Sequence, residues 1–321
     1  MTDIQNILVT GAEGFIGSHY ARLLHKYGYN VFILDKRTYA ADKRRVGDIK
    51  CKLFVGDIND KQVVQYIVKN NKIDTIVNFA AETHIDRSIE NSSQFVHSNI
   101  AGVQNLLEIV RSHNDNLRFV QIGTDETYGS IKEGSFKETD KINPSNPYSA
   151  SKASADLLTL SYYNTYGLDV VITRSSNNYG PYQDKEKFIP RIVDLAINRK
   201  PLEVYGNGTN IRDWLYVTDN CRAIKLVMEK GRKSGIYNIG ANNEMTNNQV
   251  AKIIADRFKV PIKYIKDRPG HDFRYSIDCT KIKDELGWKP FVKFEDGLEK
   301  TIGHYIEQEK IKDLEAIIGY D

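Results

Sequence analysis

The sequence contains no apolar run that approaches the ~20 residues needed to span a membrane. It has only three cysteines, Cys51, Cys221 and Cys279, and their spacing matches no metal-binding pattern. An odd number of scattered cysteines is typical of reduced thiols rather than of a disulfide framework. The N-terminus also lacks the profile of a signal peptide. We therefore expect a soluble, cytoplasmic protein without a metal site or a membrane partner.

An excess of charge of one sign is absent too. Among 321 residues, 45 lysines and arginines and 42 aspartates and glutamates give a net charge of +3. The basic residues are scattered, whereas binding to nucleic acid requires a concentrated positive surface. We therefore expect no nucleic-acid partner. The length allows one large or two modest domains, each with ample core.

The chain begins with a strand, a glycine-rich turn and a helix. Residues 7–10 form a short apolar strand, and a helix with apolar residues at helical spacing follows from Phe15 to Tyr27. Glycines in such a turn let the backbone approach a pyrophosphate, whose charge the helix N-terminus stabilises. Strand, turn and helix in this order predict a dinucleotide site. The predicted contacts are Gly11, Gly14, Phe15, Ile16 and Gly17.

The second strand, residues 30–34, ends in Asp35. An acid at this place accepts hydrogen bonds from the adenosine ribose and repels a 2′-phosphate, so it favours NAD over NADP. Lys36 and Arg37 follow at once and weaken that preference. Small residues at the end of a later strand would let a flat cofactor lie against the backbone. The further predicted cofactor contacts are Lys36, Thr38, Asp57, Ile58, Ala80, Ala81, Thr83 and Asn99.

Groups that can transfer protons follow the strand formed by residues 118–122. Thr124, Asp125 and Glu126 come where the strand should end, and open α/β sheets place their chemistry there. Tyr148 and Lys152 are four residues apart at the start of a predicted helix and share one face. A lysine ammonium beside a phenol favours the phenolate, which can act as a base. The two carboxyl groups can divide acid and base roles, although a turn and a helix cap are the alternative.

The pattern becomes less regular after Pro181. We predict an α/β fold: a doubly wound parallel sheet in residues 1–180, with a returning strand at 235–240, and a smaller mixed α/β lobe in residues 181–321. Arginine forks match phosphate oxygens, so basic residues of this lobe could converge on a diphosphate. Each of them alone could instead be a surface salt-bridge partner. These basic residues are Lys187, Arg212, Arg268 and His271.

The motifs resemble those of extended short-chain dehydrogenases/reductases that act on nucleotide sugars, and within that group the dTDP-glucose 4,6-dehydratases. The resemblance covers nearly the whole chain, up to Leu286–Pro290. The specific motifs are residues 80–88 (AAETHIDRS), 124–126 (TDE), 176–182 (SNNYGPY), 211–214 (IRDW) and 268–272 (RPGHD). This sequence departs from the family's usual residues at Ala12-Glu13, inside the glycine turn, and at Arg37.

The resemblance implies bound NAD and roles for the matching residues. Tyr148, aided by Lys152 and Thr124, would take the proton of the sugar C4 hydroxyl. Glu126 would remove the C5 proton, and Asp125 would protonate the departing C6 hydroxyl. The resemblance also implies a homodimer, built on the helices after Asn99 and Tyr148. The implied substrate-binding residues are Thr83, His84, Asn177, Lys187, Tyr205, Arg212, Asn247, Arg268 and His271.

Two alternatives remain open from the sequence. The same chemistry could act on a UDP-hexose or a UDP-N-acetylhexosamine, because the motifs leave the nucleotide and the C2 substituent undetermined. A non-catalytic NAD-binding regulator is the other alternative, but it predicts loss of the Tyr148/Lys152 pair or of the carboxyl groups, and all of them are present.

Overall fold

The computed structural model describes residues 4–113 and 117–318, with side chains described as far as residue 311. Strands and helices alternate through the first half of these ranges. None of the helices described combines the length and apolarity needed to cross a lipid bilayer. The strands are β1 (Asn6–Thr10), β2 (Asn30–Asp35), β3 (Lys52–Val55), β4 (Thr75–Asn78), β5 (Arg118–Thr124), β6 (Val170–Ser175), β7 (Asn177–Tyr179), β8 (Leu202–Tyr205), β9 (Ile211–Tyr216), β10 (Ile236–Ile239), β11 (Glu244–Thr246) and β12 (Ile262–Ile265).

The helices lie on both faces of the main sheet and in the C-terminal part. A π-helical segment, Val96–Ala101, joins two of them into one continuous helical stretch. The helices are α1 (Phe15–Lys26), α2 (Lys61–Asn70), α3 (Ile85–Glu90), α4 (Ser93–Phe95), α5 (Gly102–Ser112), α6 (Pro147–Tyr166), α7 (Phe188–Ile197), α8 (Val217–Lys230), α9 (Asn247–Phe258), α10 (Thr280–Leu286) and α11 (Phe294–Ile318).

Seven parallel strands form the main sheet in the order β3-β2-β1-β4-β5-β6-β10. The order reverses between β1 and β4, and such a switch point opens a crevice at the carboxyl ends of the strands. Side chains alternate across the sheet, as strand geometry requires. Ile7 and Val9 enter a core that contains α1 and α8, whereas Leu8 enters the core with α2, α5 and α6. The predicted doubly wound sheet and its returning strand, β10, are therefore confirmed.

The C-terminal part contributes to two cores. Helices α7, α9 and α11 pack with β8 and β9 in a third core of their own. Helix α8 instead packs on α1, with Ala223, Ile224 and Val227 in the core of the main sheet, and Ile282 of α10 joins them there. The chain thus returns to the main sheet after residue 216, while the division at residue 180 stays a prediction.

The apolar stripe of the sequence also predicts a helix from Asn99 to His113, and the start of that prediction is wrong. The helical stretch already begins at Ser93 and passes through the π-helical segment, so Asn99 lies inside it. Helix α8 was not predicted, because it begins directly after β9 with no glycine, proline or polar turn between them. The helix predicted from Phe15 to Tyr27 matches α1 to within one residue, which is inside the usual uncertainty at helix ends.

Candidate active site

A cleft of about 650 Å³ lies between the carboxyl edge of the main sheet and the C-terminal part. With the exception of Asn99, every site residue predicted from the sequence lines it. They are Gly11, Gly14, Phe15, Ile16, Gly17, Asp35, Lys36, Thr38, Asp57, Ile58, Ala80, Ala81, Thr83, His84, Thr124, Asp125, Glu126, Tyr148, Lys152, Asn177, Lys187, Tyr205, Arg212, Asn247, Arg268 and His271.

Asn99 supports the cleft from behind and does not line it. Its side-chain oxygen accepts a hydrogen bond from Glu82 N at 2.8 Å, and its amide donates to Glu82 O at 3.0 Å and to Ser151 Oγ at 2.8 Å. The side chain is fully buried and its polar atoms are occupied. Asn99 thus holds the loop at Glu82, which does line the cleft, and its contact with the cofactor stays a prediction.

The glycine turn leaves room and hydrogen-bond donors for an anion. Gly11 has a φ of 70°, and a side chain there would place its Cβ 2.7 Å from Ala80 N. A Cβ on Gly17 would lie 2.5 Å from Gly11 O. Only glycine at position 17 therefore lets the helix pack this close to the turn. No side chain caps the N-terminus of α1 at Gly14, and its first turn carries no acid. The amides there are thus free to bind a phosphate.

The TDE motif sits where β5 ends in a single helical turn, Asp125–Tyr128. Thr124 Oγ1 accepts the Glu126 amide and donates to Asp125 Oδ1, both at 3.3 Å. Both carboxyl groups are buried. Within the described part of the chain, Asp125 Oδ2 and Glu126 Oε2 have no hydrogen-bond partner. Buried polar atoms are usually paired, so two unpaired carboxyl oxygens in a cleft point to a ligand with hydroxyl groups.

The two carboxyl groups differ in their surroundings. Burial raises the pKa of Asp125 well above its usual value, and the nearby Glu126 and Asp213 carboxyls raise it further. Burial also raises the pKa of Glu126, but Arg268, Arg212 and Lys187 oppose that rise. When the surroundings of two neighbouring acids separate their pKa values, the one with the higher pKa stays protonated and can act as the acid. The other can act as the base.

Tyr148 and Lys152 lie in the first two turns of α6, which a capping box of Asn146 and Ser149 begins. The Tyr148 amide donates to Ser88 Oγ at 3.2 Å, and Lys152 Nζ donates to Ile122 O at 2.5 Å. Burial lowers the pKa of Lys152 to about 8, against the effect of Asp156.

The expected lowering of the Tyr148 pKa is not what the structure gives. Burial raises this pKa, the carboxyl groups of Glu126 and Asp125 raise it further, and the hydrogen bond with Thr124 opposes that rise. The prediction considered Lys152 alone, whereas packing brings two acids to the same phenol. Both acids therefore oppose proton removal from Tyr148.

The predicted basic residues face the cleft from the C-terminal part. Arg212 is almost fully buried over the Tyr275 ring, at 4.2 Å from the ring centroid, and its guanidinium donates to the backbone oxygens of Ile211 and Asp272 at 2.7 and 2.9 Å. A buried arginine held by carbonyl oxygens differs from an exposed salt-bridge partner. Its charge therefore remains available to an anion in the cleft.

The other basic residues are tied to the loops that border the cleft. Lys187 Nζ donates to Thr83 O at 2.9 Å, Arg268 Nη1 lies 3.4 Å from Asp86 Oδ1, and His271 Nδ1 lies 2.6 Å from Asp267 Oδ1. Burial lowers the pKa of His271, as does Arg268, while the Asp267 bond raises it. The cations thus link the C-terminal part to residues 83–86 of the main sheet.

Glu186 and Arg191 are among the lining residues that the sequence analysis missed. Glu186 lies 3.5 Å from His84 Nε2, and Arg191 donates to the Tyr205 hydroxyl at 3.4 Å. Glu186 stands in an alternating charged run, Asp184–Lys187, which is typical of an exposed loop. Arg191 follows Lys187 by four residues, and this helical spacing could have identified it. No cluster of metal-ligating side chains occurs in the ranges that the structure describes.

The parallel sheet, its switch point and the glycine turn define a Rossmann-type protein of the short-chain dehydrogenase/reductase class. The chain belongs to the GDP-mannose 4,6-dehydratase family, whose sequence model matches residues 8–301. It is 46% identical over 312 residues to a dTDP-glucose 4,6-dehydratase of Streptomyces niveus, covering 93% of this chain and 92% of that one. It is also 45% identical to the low-salt glycan biosynthesis protein Agl12 of Haloferax volcanii, covering 94% and 98% of the two chains.

Solved structures show the same relationship. DesIV, a dTDP-glucose 4,6-dehydratase from Streptomyces venezuelae crystallised with NAD, superposes with a TM-score of 0.92 at 41% identity, covering 95% of this chain and 98% of its own. A UDP-glucose 4-epimerase from Thermotoga maritima superposes with a TM-score of 0.89 at 28% identity, covering 95% and 99% of the two chains. The overall fold is thus shared by dehydratases and epimerases, and the side chains in the cleft must distinguish them.

Proposed function

We propose that this chain catalyses the NAD-dependent 4,6-dehydration of dTDP-glucose to dTDP-4-keto-6-deoxyglucose, as a hydro-lyase that keeps its NAD bound. The observation that carries the proposal is the pair Asp125 and Glu126, buried beside Tyr148 in the cleft that also contains the glycine turn. A 4-epimerase needs a tyrosine and a lysine but no acid for a leaving C6 hydroxyl. Two carboxyl groups with different surroundings fit elimination.

The residues present fit a dinucleotide. The uncapped N-terminus of α1 fits its pyrophosphate, and Asp35 at the end of β2 fits the adenosine ribose. Ala80 and Ala81 leave space for a flat ring against the backbone. When bound, NAD accepts a hydride from the sugar C4 and returns it to C6. The proposed contacts with the cofactor remain those named from the sequence, together with Tyr148 and Lys152.

Oxidation at C4 requires removal of the hydroxyl proton. Tyr148 takes this proton, with Thr124 positioned by its own bond to the Glu126 amide to share a hydrogen bond with the phenol. Lys152 lies in the second turn of α6 and carries a positive charge. Its Nζ donates to Ile122 O, and this bond fixes the position of the ammonium group. Burial and the neighbouring carboxyl groups raise the pKa of Tyr148, so its phenolate is a strong base for this proton.

Elimination follows from the acidity that the 4-ketone gives to the C5 hydrogen. Glu126 removes that proton, because the cations near it favour its ionised form relative to Asp125. Asp125 retains its proton and gives it to the departing C6 hydroxyl, which leaves as water. Glu126 returns its proton to C5 when the hydride is delivered to C6, so the substrate loses only water. The unpaired oxygens of the two residues are the acceptor and donor sites for these transfers.

The nucleotide diphosphate is bound by the basic residues of the C-terminal part. Arg212 and Arg268 provide forked donors, and Lys187 provides a point charge. The unpaired Asn177 Oδ1, buried at the edge of the cleft, is available to a hydroxyl donor. The residues proposed to hold the substrate are Thr83, His84, Asn177, Lys187, Tyr205, Arg212, Asn247, Arg268 and His271.

We also propose a cytoplasmic homodimer formed by α5 and α6, which pack against each other. Helix α6 exposes Leu157 near its middle and Tyr166 at its end, with 55% and 51% of their surface accessible. Exposed apolar residues on paired helices support a helix-to-helix interface. Light scattering of purified protein tests this, and a Leu157→Glu variant should be monomeric while Ile253→Glu, on α9, should not change the mass.

Mass analysis of products tests the proposed function. Purified protein is incubated in parallel with dTDP-glucose, UDP-glucose and UDP-N-acetylglucosamine, without added NAD. We expect loss of one water from dTDP-glucose alone, which also demonstrates retained cofactor. Loss of water from a UDP-sugar instead would keep the mechanism and change the substrate. No loss from any of them, with NAD still bound, would favour a non-catalytic protein.

A further inference from the structure

Two charged residues at the glycine turn lie outside the roles described so far. Glu13 stands inside the turn, between Ala12 and Gly14, and its side chain is fully buried. Arg37 binds it as a fork: Nε lies 2.8 Å from Glu13 Oε2, and Nη2 lies 3.1 Å from Oε1. Paired planar groups of this kind fix orientation as well as charge. The two departures noted in the sequence are therefore partners.

Asp35 fixes both partners through their backbones. Its Oδ2 accepts the Glu13 amide at 2.9 Å, and its Oδ1 accepts the Arg37 amide at 2.8 Å. Arg37 has a φ of 56°, a left-handed conformation that is uncommon for residues other than glycine. This turn directs the arginine back to Glu13. Lys36 and Thr38 line the cleft, whereas Arg37, which lies between them in the chain, does not.

The lysine beside Arg37 is also engaged. Lys36 Nζ donates to Ser98 Oγ at 2.9 Å and lies 3.7 Å from Asp57 Oδ2 and 3.8 Å from Glu82 Oε1. The two cations that follow Asp35 are thus both directed to acids. An arginine at the end of this strand is the usual partner of an adenosine 2′-phosphate, and here its fork is already occupied.

We propose that Glu13 is a specificity-determining residue for the dinucleotide. Its buried carboxylate holds Arg37 away from the adenosine 2′ position, so that the site prefers NAD although two basic residues follow Asp35. Arg37 in turn neutralises the carboxylate, so that Glu13 does not repel the pyrophosphate bound by the glycine turn. This inference rests on the proposed function, because it assumes a dinucleotide in the cleft.

Calorimetric titration of cofactor-stripped protein with NAD and with NADP tests the proposal. Glu13→Gln preserves the shape of the side chain but removes the charge and half of the fork. We expect the ratio of the two dissociation constants, NADP over NAD, to fall about tenfold, since an arginine freed to bind a 2′-phosphate forms charge-assisted hydrogen bonds of that strength. Glu13→Ala should lower the ratio in the same direction, which provides a second variant if the glutamine variant does not fold.

The control is the double variant Glu13→Gln/Arg37→Gln. If Arg37 carries the gain, the double variant should return the ratio to the wild-type value. A ratio that stays low without Arg37, or that does not change in either Glu13 variant, overturns the inference. Failure of the wild-type protein to bind either dinucleotide would instead contradict the proposed function, so the two failures are distinguishable.

Discussion

Burial has opposite consequences on the two sides of the cleft, the acidic side with Asp125 and Glu126 and the cationic side with Arg212. On the acidic side, burial raises the pKa of Asp125 and Glu126 and turns them into groups that exchange protons. On the cationic side, Arg212 is as buried as the acids, yet backbone oxygens hold its guanidinium. A guanidinium does not lose its proton in proteins. The same burial therefore produces chemistry on one side and permanent charge on the other.

The cationic side also determines how the acids differ. Arg268, Arg212 and Lys187 all lower the pKa of Glu126, in that order, whereas Asp125 has two further carboxyl groups beside it. The residues proposed to bind the substrate's diphosphate thus also favour Glu126 over Asp125 as the base. Binding and proton transfer are coupled through charge, and the variants below separate them.

The largest effect is expected from Tyr148→Phe, on the acidic side. Loss of the phenol hydroxyl removes the group that accepts the proton of the sugar C4 hydroxyl. General-base catalysis of this kind contributes about 10²- to 10⁴-fold to the rate. We expect turnover to fall by about that factor, without accumulation of reduced cofactor. Product mass and cofactor absorbance in single-turnover experiments measure it. Tyr162→Phe is the matched control, because Tyr162 lies on α6 but donates to Glu108.

Glu126→Gln should have the next largest effect and a different signature. The amide cannot remove the C5 proton, so elimination should slow by about 10²-fold or more, while C4 oxidation by Tyr148 continues. Reduced cofactor should then accumulate on the protein after substrate is added, and absorbance spectroscopy detects it. Near-normal turnover in this variant would show that Glu126 is not the base.

The local parts of this site could be predicted from the sequence. The glycine turn lies between a strand and a helix that are adjacent in the chain, and Tyr148 and Lys152 are related by one helical repeat. Geometry of this kind depends on a few neighbouring residues, so spacing alone determines which side chains face each other. The convergence of Arg212 and Arg268 on the cleft was predicted from their chemistry and from the family resemblance.

The parts that depend on packing could not be predicted. The pKa of Tyr148 rises because separate segments bury it with Asp125 and Glu126, and no local pattern contains that information. The forked ion pair joins Glu13, which follows β1, to Arg37, which follows β2. In the sequence, each residue looked like an isolated departure from the family's usual residues. Asn99 pointed to the cofactor by its position, but tertiary contacts use all of its polar atoms for Glu82 and Ser151.

Asp125→Asn tests whether burial is what keeps this acid protonated. A raised pKa in the folded state stabilises the protein fully below the unfolded pKa of about 4, and this contribution is lost as pH rises through the folded pKa. Asparagine does not titrate. The wild-type free energy of unfolding should therefore fall relative to the variant as pH rises, by up to about 1.4 kcal/mol per pH unit between the two pKa values.

Urea unfolding of both proteins across a pH series measures this difference. Asp284→Asn is the control, because Asp284 is exposed and its replacement should leave the pH dependence unchanged. A constant difference between wild type and Asp125→Asn at all pH values would mean that the folded pKa is not raised. Asp125 would then not hold the proton that the proposed mechanism assigns to it.

Arg268→Lys should have the smallest effect and should separate binding from proton transfer. Lysine keeps the charge that lowers the pKa of Glu126 but lacks the fork for phosphate oxygens, so KM should rise about tenfold with kcat nearly unchanged.

Arg268→Gln removes the charge as well. The pKa of Glu126 should then rise, and because the base must be ionised, the acidic limb of the kcat profile should move to higher pH. Initial rates over a pH series measure both, and Arg257→Lys, in an ion pair with Glu299, is the control. A shift of equal size in the lysine and glutamine variants would mean that Arg268 acts on Glu126 through shape and not through charge.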